Sequence, residues 1–128
     1  MTKQIRDIRE FQTRIAEEEE GSLFFRPDFK ERVAQRMRFL REEVDELEKA
    51  LNDNDPVEVL DALVDIDYIA KGTAHEAGLL NLLQDGWDLV HANNMTKIGP
   101  DGKVLKSDDN KVIKPAGYMP VDLNTLFV

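Results

Sequence analysis

The hydrophobic residues between positions 29 and 51 recur every three or four residues, which is the spacing of one face of an α-helix. They are Phe29, Val33, Met37, Leu40, Val44, Leu47 and Leu51. So regular a stripe predicts a helix that begins near Pro27 or Asp28 and ends at about Leu51. Shorter stripes predict helices over about 3–19 and 56–78, and a weaker one predicts a fourth helix over about 80–96.

The segments between these helices carry turn and capping signals. NDNDP (52–56) breaks the long helix, and Asp55, Pro56 and Glu58 supply an N-cap, a first-turn proline and a capping-box acid for the next one. So short a turn predicts that the second and third helices are antiparallel neighbours. Gly78 is a natural stop for the third helix. In the earlier loop SLFFRP (22–27), we expect Phe24 and Phe25 to fold back onto the core.

The chain changes character after the fourth helix. Two β-prone pieces, Lys103–Lys106 and Lys111–Lys114, flank a polar SDDN turn, which predicts a small hairpin or an extended tail. The sequence therefore predicts an all-α protein, a four-helix bundle with a C-terminal extension. We expect a single domain over 1–128, with a helical core over about 3–96 and a tail over 97–128.

Composition narrows the classes of function. The chain has 128 residues, a formal net charge of −9 and no cysteine, which excludes disulfides, thiolate metal sites and cysteine nucleophiles. No apolar run is long enough to span a membrane and the N-terminus lacks a signal-like stretch, so we expect a cytoplasmic protein without a membrane partner. The net negative charge also argues against nucleic-acid binding, because a nucleic-acid backbone is itself negatively charged. Phosphate chemistry here would use cations held by the protein's own carboxylates.

REEVDELEKAL (41–51) places four carboxylates within five consecutive positions. Relative to the apolar stripe of this helix, Glu42, Glu43 and Glu46 share an arc of roughly 100°. Asp45 falls on the opposite flank, where we expect it to be solvated surface.

Asp61 and Asp65 lie four residues apart on one flank of the third helix, together with Tyr68. Like charges at this spacing repel one another. Two antiparallel helices can face these flanks together, so that five carboxylates meet: Glu42, Glu43, Glu46, Asp61 and Asp65. A hard divalent cation would relieve their repulsion, and an all-oxygen set suits Mg²⁺ or Mn²⁺. The alternative is a solvated acidic face, typical of a non-catalytic helical interaction module.

Glu42-Glu43-x-x-Glu46, followed by an acidic pair that ends at Asp65, resembles the signature of the MazG-like superfamily of all-α nucleoside triphosphate pyrophosphohydrolases. The motif of that superfamily is Glu-Glu-x-x-Glu and then Glu-x-x-Asp. DALVDIDYIAKGTAHEAGL (61–79), VHANNMTKIGPDGKV (90–104) and KVIKPAGYMPVDL (111–123) resemble a bacterial and phage branch of it, so the likeness covers roughly residues 5–125. One departure is Ala62, where the motif has Glu; the nearest acid is Asp61.

The resemblance implies Mg²⁺-dependent hydrolysis of a nucleoside triphosphate between the α and β phosphates, giving the monophosphate and pyrophosphate. It implies that Glu42, Glu43, Glu46 and Asp65 bind the metal, and Asp61 can substitute for the missing Glu because it lies on much the same helix face. Mn²⁺ could replace Mg²⁺. We expect Glu43 to take the proton of the attacking water.

The resemblance also implies contacts to the nucleotide. Asn94 and Lys97 in NNMTK match a substrate-contacting pair, and we add Tyr68 as a third candidate. Phe11 and Gln12 match a position that contacts the base in some relatives, although core packing is an equal alternative for Phe11. Pockets in this superfamily commonly form between subunits, which implies a homodimer or a dimer of dimers. A second enzyme on the same scaffold, phosphoribosyl-ATP pyrophosphohydrolase, is the alternative activity.

Overall fold

A computed structural model describes residues 2–127 of the chain. That range contains the α-helices α1 (Lys3–Arg14), α2 (Phe29–Asn52), α3 (Pro56–Glu76) and α4 (Leu83–Met95), and short 3₁₀ helices at Leu23–Phe25, Leu80–Leu82 and Asn124–Phe127. The strands β1 (Leu105–Lys106) and β2 (Val112–Ile113) pair antiparallel, with Leu105 opposite Ile113. No helix in the described range has the length and apolar character to cross a membrane. The prediction of an all-α fold with a C-terminal hairpin is confirmed.

The helix boundaries follow the capping signals more closely than the apolar stripes. The Asp55 side chain accepts a hydrogen bond from the Glu58 backbone N–H at 3.2 Å, which caps the start of α3 as predicted. Gly78 follows the end of α3 with a φ of +75°, a conformation that glycine adopts without strain. By contrast, α1 ends at Arg14 rather than near residue 19, because the acidic run leaves the helix and Glu17 takes a φ of +56°.

The chain divides into two compact units, one up to Asn81 and one from Leu82 onward. In the first unit, α3 packs against both α2 and α1, and its contact with α2 is the more extensive. The second unit contains α4 and the hairpin. Whether the whole chain behaves as one domain stays a prediction.

The apolar core of the first unit is small. A cluster of buried side chains joins α1, α3 and the turn that follows α3: Ile5, Ile8, Ala74 and Leu80. Leu23 is also buried, but Phe24 and Phe25 are 61% and 86% exposed. The expectation that these two phenylalanines fold back onto the core is wrong, because the 3₁₀ turn directs only Leu23 inward.

A buried ionic network lies beside this core. Glu76, at the end of α3, is fully buried and accepts hydrogen bonds from Arg32 at 2.6 and 2.8 Å and from the Gln12 amide at 3.0 Å. The guanidinium of Arg36 lies 3.2 Å from the same carboxylate. Buried charges are tolerated when they are paired and hydrogen-bonded in this way. The network therefore links α1, α2 and α3 through polar rather than apolar contacts.

Gly72 makes room for this network inside α3. A Cβ atom at this position would lie 2.8 Å from Nη2 of Arg36 and 3.0 Å from Oε1 of Gln12. The same Arg36 group donates to the Ile69 carbonyl at 2.8 Å, and its Nε donates to the Thr73 hydroxyl at 3.1 Å. The absent side chain of Gly72 is thus what lets the guanidinium approach the helix backbone.

The apolar stripes correctly predict the helices but only partly predict which residues are buried. Val44 and Leu51 on the α2 stripe are 47% and 56% exposed, and Leu63 on the α3 stripe is 49% exposed. The buried positions of α2 are Arg32, Arg36 and Ala50 instead. Both helices therefore keep apolar side chains in contact with solvent.

Candidate active site

Acidic side chains from α2 and α3 meet beside the turn that joins the two helices. Glu43 lies close enough to Glu46 on its own helix and to Asp65 on α3 for these carboxylates to alter one another's pKa. Asp61, one turn before Asp65, is close enough for its charge to act on both Glu43 and Asp65. The structure therefore brings together four of the five side chains predicted to form a metal site.

Glu43 occupies an unusual position within this cluster. Its Oε2 atom is buried and has no hydrogen-bond partner among residues 2–127. Burial, the hydrogen bond with Glu46 and the charges of Asp65, Glu46 and Asp61 raise the pKa of Glu43 to about 7. Burial also raises the pKa of Asp65, with repulsion from Asp61 and Glu46 adding to the effect. Near neutral pH, Glu43 can thus either hold or release a proton.

The chemistry of these side chains fits a hard divalent cation. Every donor is a carboxylate oxygen, the ligand type that Mg²⁺ and Mn²⁺ prefer, and Oε2 of Glu43 lacks a protein partner. Across residues 2–127, no three acidic or histidine side chains are already close enough to hold an ion. Because ionised carboxylates repel one another, a cation would be needed to draw them together. Glu46 and Asp61 also line a cavity of about 410 Å³ at the α2–α3 turn.

Two other acidic residues of α2 lie away from this cluster. Glu42 is 61% exposed and its carboxylate lies 3.7 Å from the guanidinium of Arg38, one turn earlier. Its predicted role as a metal ligand stays a prediction. Asp45 is exposed, as expected of a surface residue on the opposite flank.

Ala62, which replaces the Glu of the superfamily motif, is 2% exposed. The neighbouring Asp61 is exposed to solvent and acts on the carboxylate cluster. The side chain at the motif position is thus packed in the interior, while the negative charge lies one residue earlier along α3. That Asp61 takes the place of the missing Glu stays a prediction.

The predicted substrate contacts in the first unit lie in two different environments. Gln12 is 2% exposed, with its amide donating to Glu76. Tyr68 is 37% exposed and meets Phe11 edge to face, with their ring centroids 5.3 Å apart. Tyr68 also lines a cavity of about 160 Å³. Neither aromatic residue is fully buried, and their roles in binding stay predictions, as does that of Gln12.

The predicted substrate pair of the second unit is found in contact. The ammonium of Lys97 donates to Oδ1 of Asn94 at 3.1 Å, just past the end of α4. Tyr118, which no sequence pattern singles out, lies beside them: the Lys97 ammonium is 5.8 Å from its ring centroid. Tyr118 lies in KVIKPAGYMP, a segment that resembles the superfamily, and this was the one sequence feature that could have indicated it. Its contact with Lys97 depends on how the tail folds.

Comparison with known proteins identifies the family of this chain. The family model described as phosphoribosyl-ATP pyrophosphohydrolase matches residues 8–94, which include α2, α3 and every predicted metal ligand. No curated protein matches the chain significantly. Enzymes of the matched family generally use divalent metal ions. Because the match spans more than half of the sequence, the chain belongs to the phosphoribosyl-ATP pyrophosphohydrolase family of the MazG-like superfamily and is a pyrophosphohydrolase.

Proposed function

We propose that this protein hydrolyses nucleoside triphosphates between the α and β phosphates in a Mg²⁺-dependent reaction, giving the nucleoside monophosphate and pyrophosphate. The observation that carries the proposal is the buried, unpartnered Oε2 of Glu43, which lies within a group of carboxylates from two helices. A structural role would leave such an oxygen paired. A cation and a reacting water would give it partners.

The carboxylates divide between two roles in this proposal. Glu43, Glu46, Asp61 and Asp65 would hold Mg²⁺, or Mn²⁺ in its place, with Glu42 as a further predicted ligand, and Glu43 would also act as the base. Bound Mg²⁺ supplies positive charge to the phosphate oxygens and to the leaving pyrophosphate, and it lowers the pKa of a coordinated water. Burial, together with the charges of Asp61 and Glu46, raises the pKa of Asp65, so a bound cation would also stabilise the ionised carboxylates.

Glu43 is the proposed general base. With a pKa raised to about 7, a large fraction of Glu43 is unprotonated at neutral pH, and its affinity for a proton exceeds that of an ordinary glutamate. Oε2 would take a proton from the attacking water as the water oxygen bonds to the α-phosphorus. The bond from that phosphorus to the α–β bridging oxygen breaks, and pyrophosphate leaves with the bonding electrons.

Two sets of side chains would bind the rest of the nucleotide. Tyr68 follows Asp65 by three residues and so lies on the same face of α3. Its half-exposed ring pairs with Phe11, and we assign this aromatic pair, with Gln12 nearby, to contact with the nucleobase. Asn94 and Lys97 would orient and hold phosphate oxygens through an amide and an ammonium.

Phosphoribosyl-ATP is the alternative substrate, because the matched family model carries that description. It contains the same α–β phosphoanhydride, so the same carboxylates would serve. Incubating the full chain with Mg²⁺ and a panel of canonical and modified dNTPs, NTPs and phosphoribosyl-ATP, and then resolving the products, separates the two. Pyrophosphate release from phosphoribosyl-ATP alone would favour the alternative. Release from none of them would overturn both and favour the acidic interaction module.

We further propose that the chain forms a homodimer or a dimer of dimers. Support comes from apolar side chains of α2 and α3 that remain about half exposed or more: Val44, Leu51, Leu60, Leu63 and Val64. Apolar area of this kind on adjacent helices is typical of a face that a second subunit covers. A second copy of the chain would cover this apolar area, in line with the homo-oligomer that the family resemblance implies.

A further inference from the structure

Arg36 of α2 contacts α3 through all three nitrogens of its guanidinium. Nη2 donates to the Ile69 carbonyl at 2.8 Å and Nε donates to the Thr73 hydroxyl at 3.1 Å. Nη1 lies 3.2 Å from the Glu76 carboxylate, and only 7% of the arginine side chain is exposed. A planar guanidinium with its donors occupied in this way has one orientation available. A single side chain of α2 therefore contacts two successive turns of α3.

The Thr73 hydroxyl closes this set of hydrogen bonds. It accepts from Nε of Arg36 and donates to the Ile69 carbonyl at 2.9 Å, and that carbonyl also accepts from Nη2 of the same arginine. Gly72 leaves the space that the guanidinium occupies, since a Cβ there would lie 2.8 Å from Nη2. These contacts reach the helix backbone itself, so they fix where along α3 the arginine is held.

The contacts of Arg36 lie close to the acidic cluster on both helices. On α2, Arg36 precedes Glu43 by seven residues, which is two turns on the same helix face or about 10 Å along the axis. The Phe39 ring lies between them, with its centroid 5.8 Å from the guanidinium carbon. On α3, Ile69 follows Asp65 by four residues, about one turn. The arginine therefore joins the two helices near the point where Glu43 and Asp65 approach each other.

A cation site between two helices is sensitive to how far one helix slides along the other. A slip of one residue moves the backbone by about 1.5 Å, which is enough to break hydrogen bonds as short as those of Arg36. Mg²⁺ binds oxygen ligands at about 2.0–2.1 Å in a nearly octahedral arrangement. The same slip would therefore separate carboxylates of α2 from those of α3 beyond the reach of one ion.

We propose that Arg36 and Thr73 are positioning residues for the cation site, because they fix the register of α2 along α3 at which Glu43 and Asp65 can bind the same ion. Neither positioning residue contacts the ion. The presence of the ion rests on the proposed function, whereas the register rests on the contacts between the helices. The competing explanation is that the buried network stabilises the fold without affecting the site.

The test titrates the full chain with Mn²⁺ alone and follows free Mn²⁺ by electron paramagnetic resonance. Arg36→Lys keeps the positive charge, but one ammonium group cannot reproduce the planar set of three contacts. It should weaken Mn²⁺ binding about tenfold or more, as is typical when a residue that orients metal ligands is lost. Thr73→Val should weaken binding about fivefold, in line with the loss of one hydrogen bond. Thr73→Ser keeps the hydroxyl and should bind Mn²⁺ like the unmodified chain.

Leu80→Ala is the control for a general loss of stability. Leu80 is fully buried in the apolar cluster with Ile5 and Ile8 of α1, away from the contacts of Arg36. The substitution leaves a cavity there and should lower the urea midpoint of unfolding, yet change Mn²⁺ affinity less than about twofold. Circular dichroism of each variant confirms that the helices are retained.

Competition by Mg²⁺ and Ca²⁺ for the bound Mn²⁺ gives a readout that stability alone does not change. Ca²⁺ accepts more variable geometry and longer ligand distances than Mg²⁺. Arg36→Lys should therefore lose more of its affinity for Mg²⁺ than for Ca²⁺, and Leu80→Ala should keep the ratio of the unmodified chain.

Unchanged Mn²⁺ affinity in Arg36→Lys would overturn the proposal. Equal losses in Arg36→Lys and Leu80→Ala would do so as well, because the network would then act only through stability. If Arg36→Lys fails to fold, the Thr73 pair decides: equal affinities in Thr73→Val and Thr73→Ser would overturn the positioning role.

Pyrophosphate release from the nucleotide panel, measured in parallel, separates this proposal from the proposed function. If the unmodified chain releases none while Arg36→Lys and Thr73→Val lose Mn²⁺ affinity, the proposed function fails and the positioning role stands. If the unmodified chain is active and both variants keep their Mn²⁺ affinity, the positioning role alone is overturned.

Discussion

Arg32 and Glu76 are joined by two hydrogen bonds, from Nε to Oε1 at 2.6 Å and from Nη2 to Oε2 at 2.8 Å. The two residues are 44 positions apart in the sequence, and the carboxylate is fully buried. Because Arg36 contacts the same carboxylate, two residues of α2 are fixed to the end of α3. The relative position of the helices that carry the acidic cluster therefore depends on an ionic contact in the interior.

Replacing Glu76 with Gln should lower the free energy of unfolding by about 3–5 kcal/mol, because Arg32 and Arg36 would be left buried without a full countercharge. Urea unfolding followed by circular dichroism measures the change. Asp53→Asn is the control, since Asp53 pairs with Lys49 on the exposed end of α2 and should give little change. Similar losses in the two variants would contradict this account of the network.

The same residue should give the protein acid sensitivity. Burial alone would raise the pKa of Glu76, but the hydrogen bonds from Arg32 and Gln12 and the charge of Arg36 outweigh it and hold that pKa below the ordinary value of 4.5. Its stabilising contribution is therefore complete above pH 4.5 and is lost as the pH falls through the lower folded-state value.

Unfolding measured from about pH 7 to about pH 3 should show this loss for the unmodified chain. The slope should be shallower in Glu76→Gln, which has no carboxyl group to titrate at that position. Identical slopes would show that other carboxylates dominate the acid response.

Gly72→Ala should destabilise the protein by about 1–3 kcal/mol, since a methyl group 2.8 Å from the Arg36 guanidinium forces the buried network to shift. Gly86→Ala is a matched control within α4, where the nearest atom to the new Cβ, Cδ1 of Leu126, is 3.9 Å away. That variant should gain about 0.5–1 kcal/mol from helix propensity. Thermal unfolding of both would reveal the opposite signs, and a stabilised Gly72→Ala would refute the steric argument.

Glu43→Gln should reduce pyrophosphate release by about 10²–10⁴-fold, because it removes the proposed base. Its stability should stay equal or rise, since the substitution removes like charge from a crowded group. Asp45→Asn, two residues away on the exposed flank of α2, should keep normal turnover. Steady-state kinetics with Mg²⁺ and the substrate found in the panel provides the comparison. Full activity in Glu43→Gln would show that the base lies elsewhere.

Leu60→Arg should dissociate the proposed oligomer, because it places a charge on the exposed apolar face of α3, where Leu60 is 64% exposed. Light scattering coupled to size exclusion should give a multiple of 14.7 kDa for the unmodified chain and a single-chain mass for the variant. Phe25→Arg is the control, since Phe25 is 86% exposed outside both helix stripes. A single-chain mass for the unmodified protein would rule out this part of the proposal.

Local patterns predicted the helices and the hairpin because they are encoded by nearby residues: the α2 stripe, the Asp55 cap and the SDDN turn. The carboxylate cluster could also be predicted from the sequence, since a short turn fixes how two long helices face each other. The burial of Arg32 and Arg36 could not be predicted in this way, because it depends on Glu76, which lies far along the chain. Hydropathy assigns all three charged residues to the surface, whereas their mutual neutralisation allows burial.

The site residues show the same division between local and distant information. Helical geometry related Glu43 and Glu46 to each other, and the turn related both to Asp65. Glu42 lies near the edge of the same arc, where its pairing with Arg38 one turn earlier directs it to solvent. The contact between Lys114 and Tyr118 depends on how the tail folds. The spacing of these residues in the sequence does not predict it.

The burial of Ala62 also limits which substitutions the candidate site could accept. Restoring the motif's Glu there would insert a long charged side chain at a position that is 2% exposed, and α3 would have to move away from its neighbours to admit it. Moving the acidic residue from position 61 to position 62 would therefore require the surrounding packing to change as well. In this chain, moving the acid to position 62 would require a change in the distance between the helices as well.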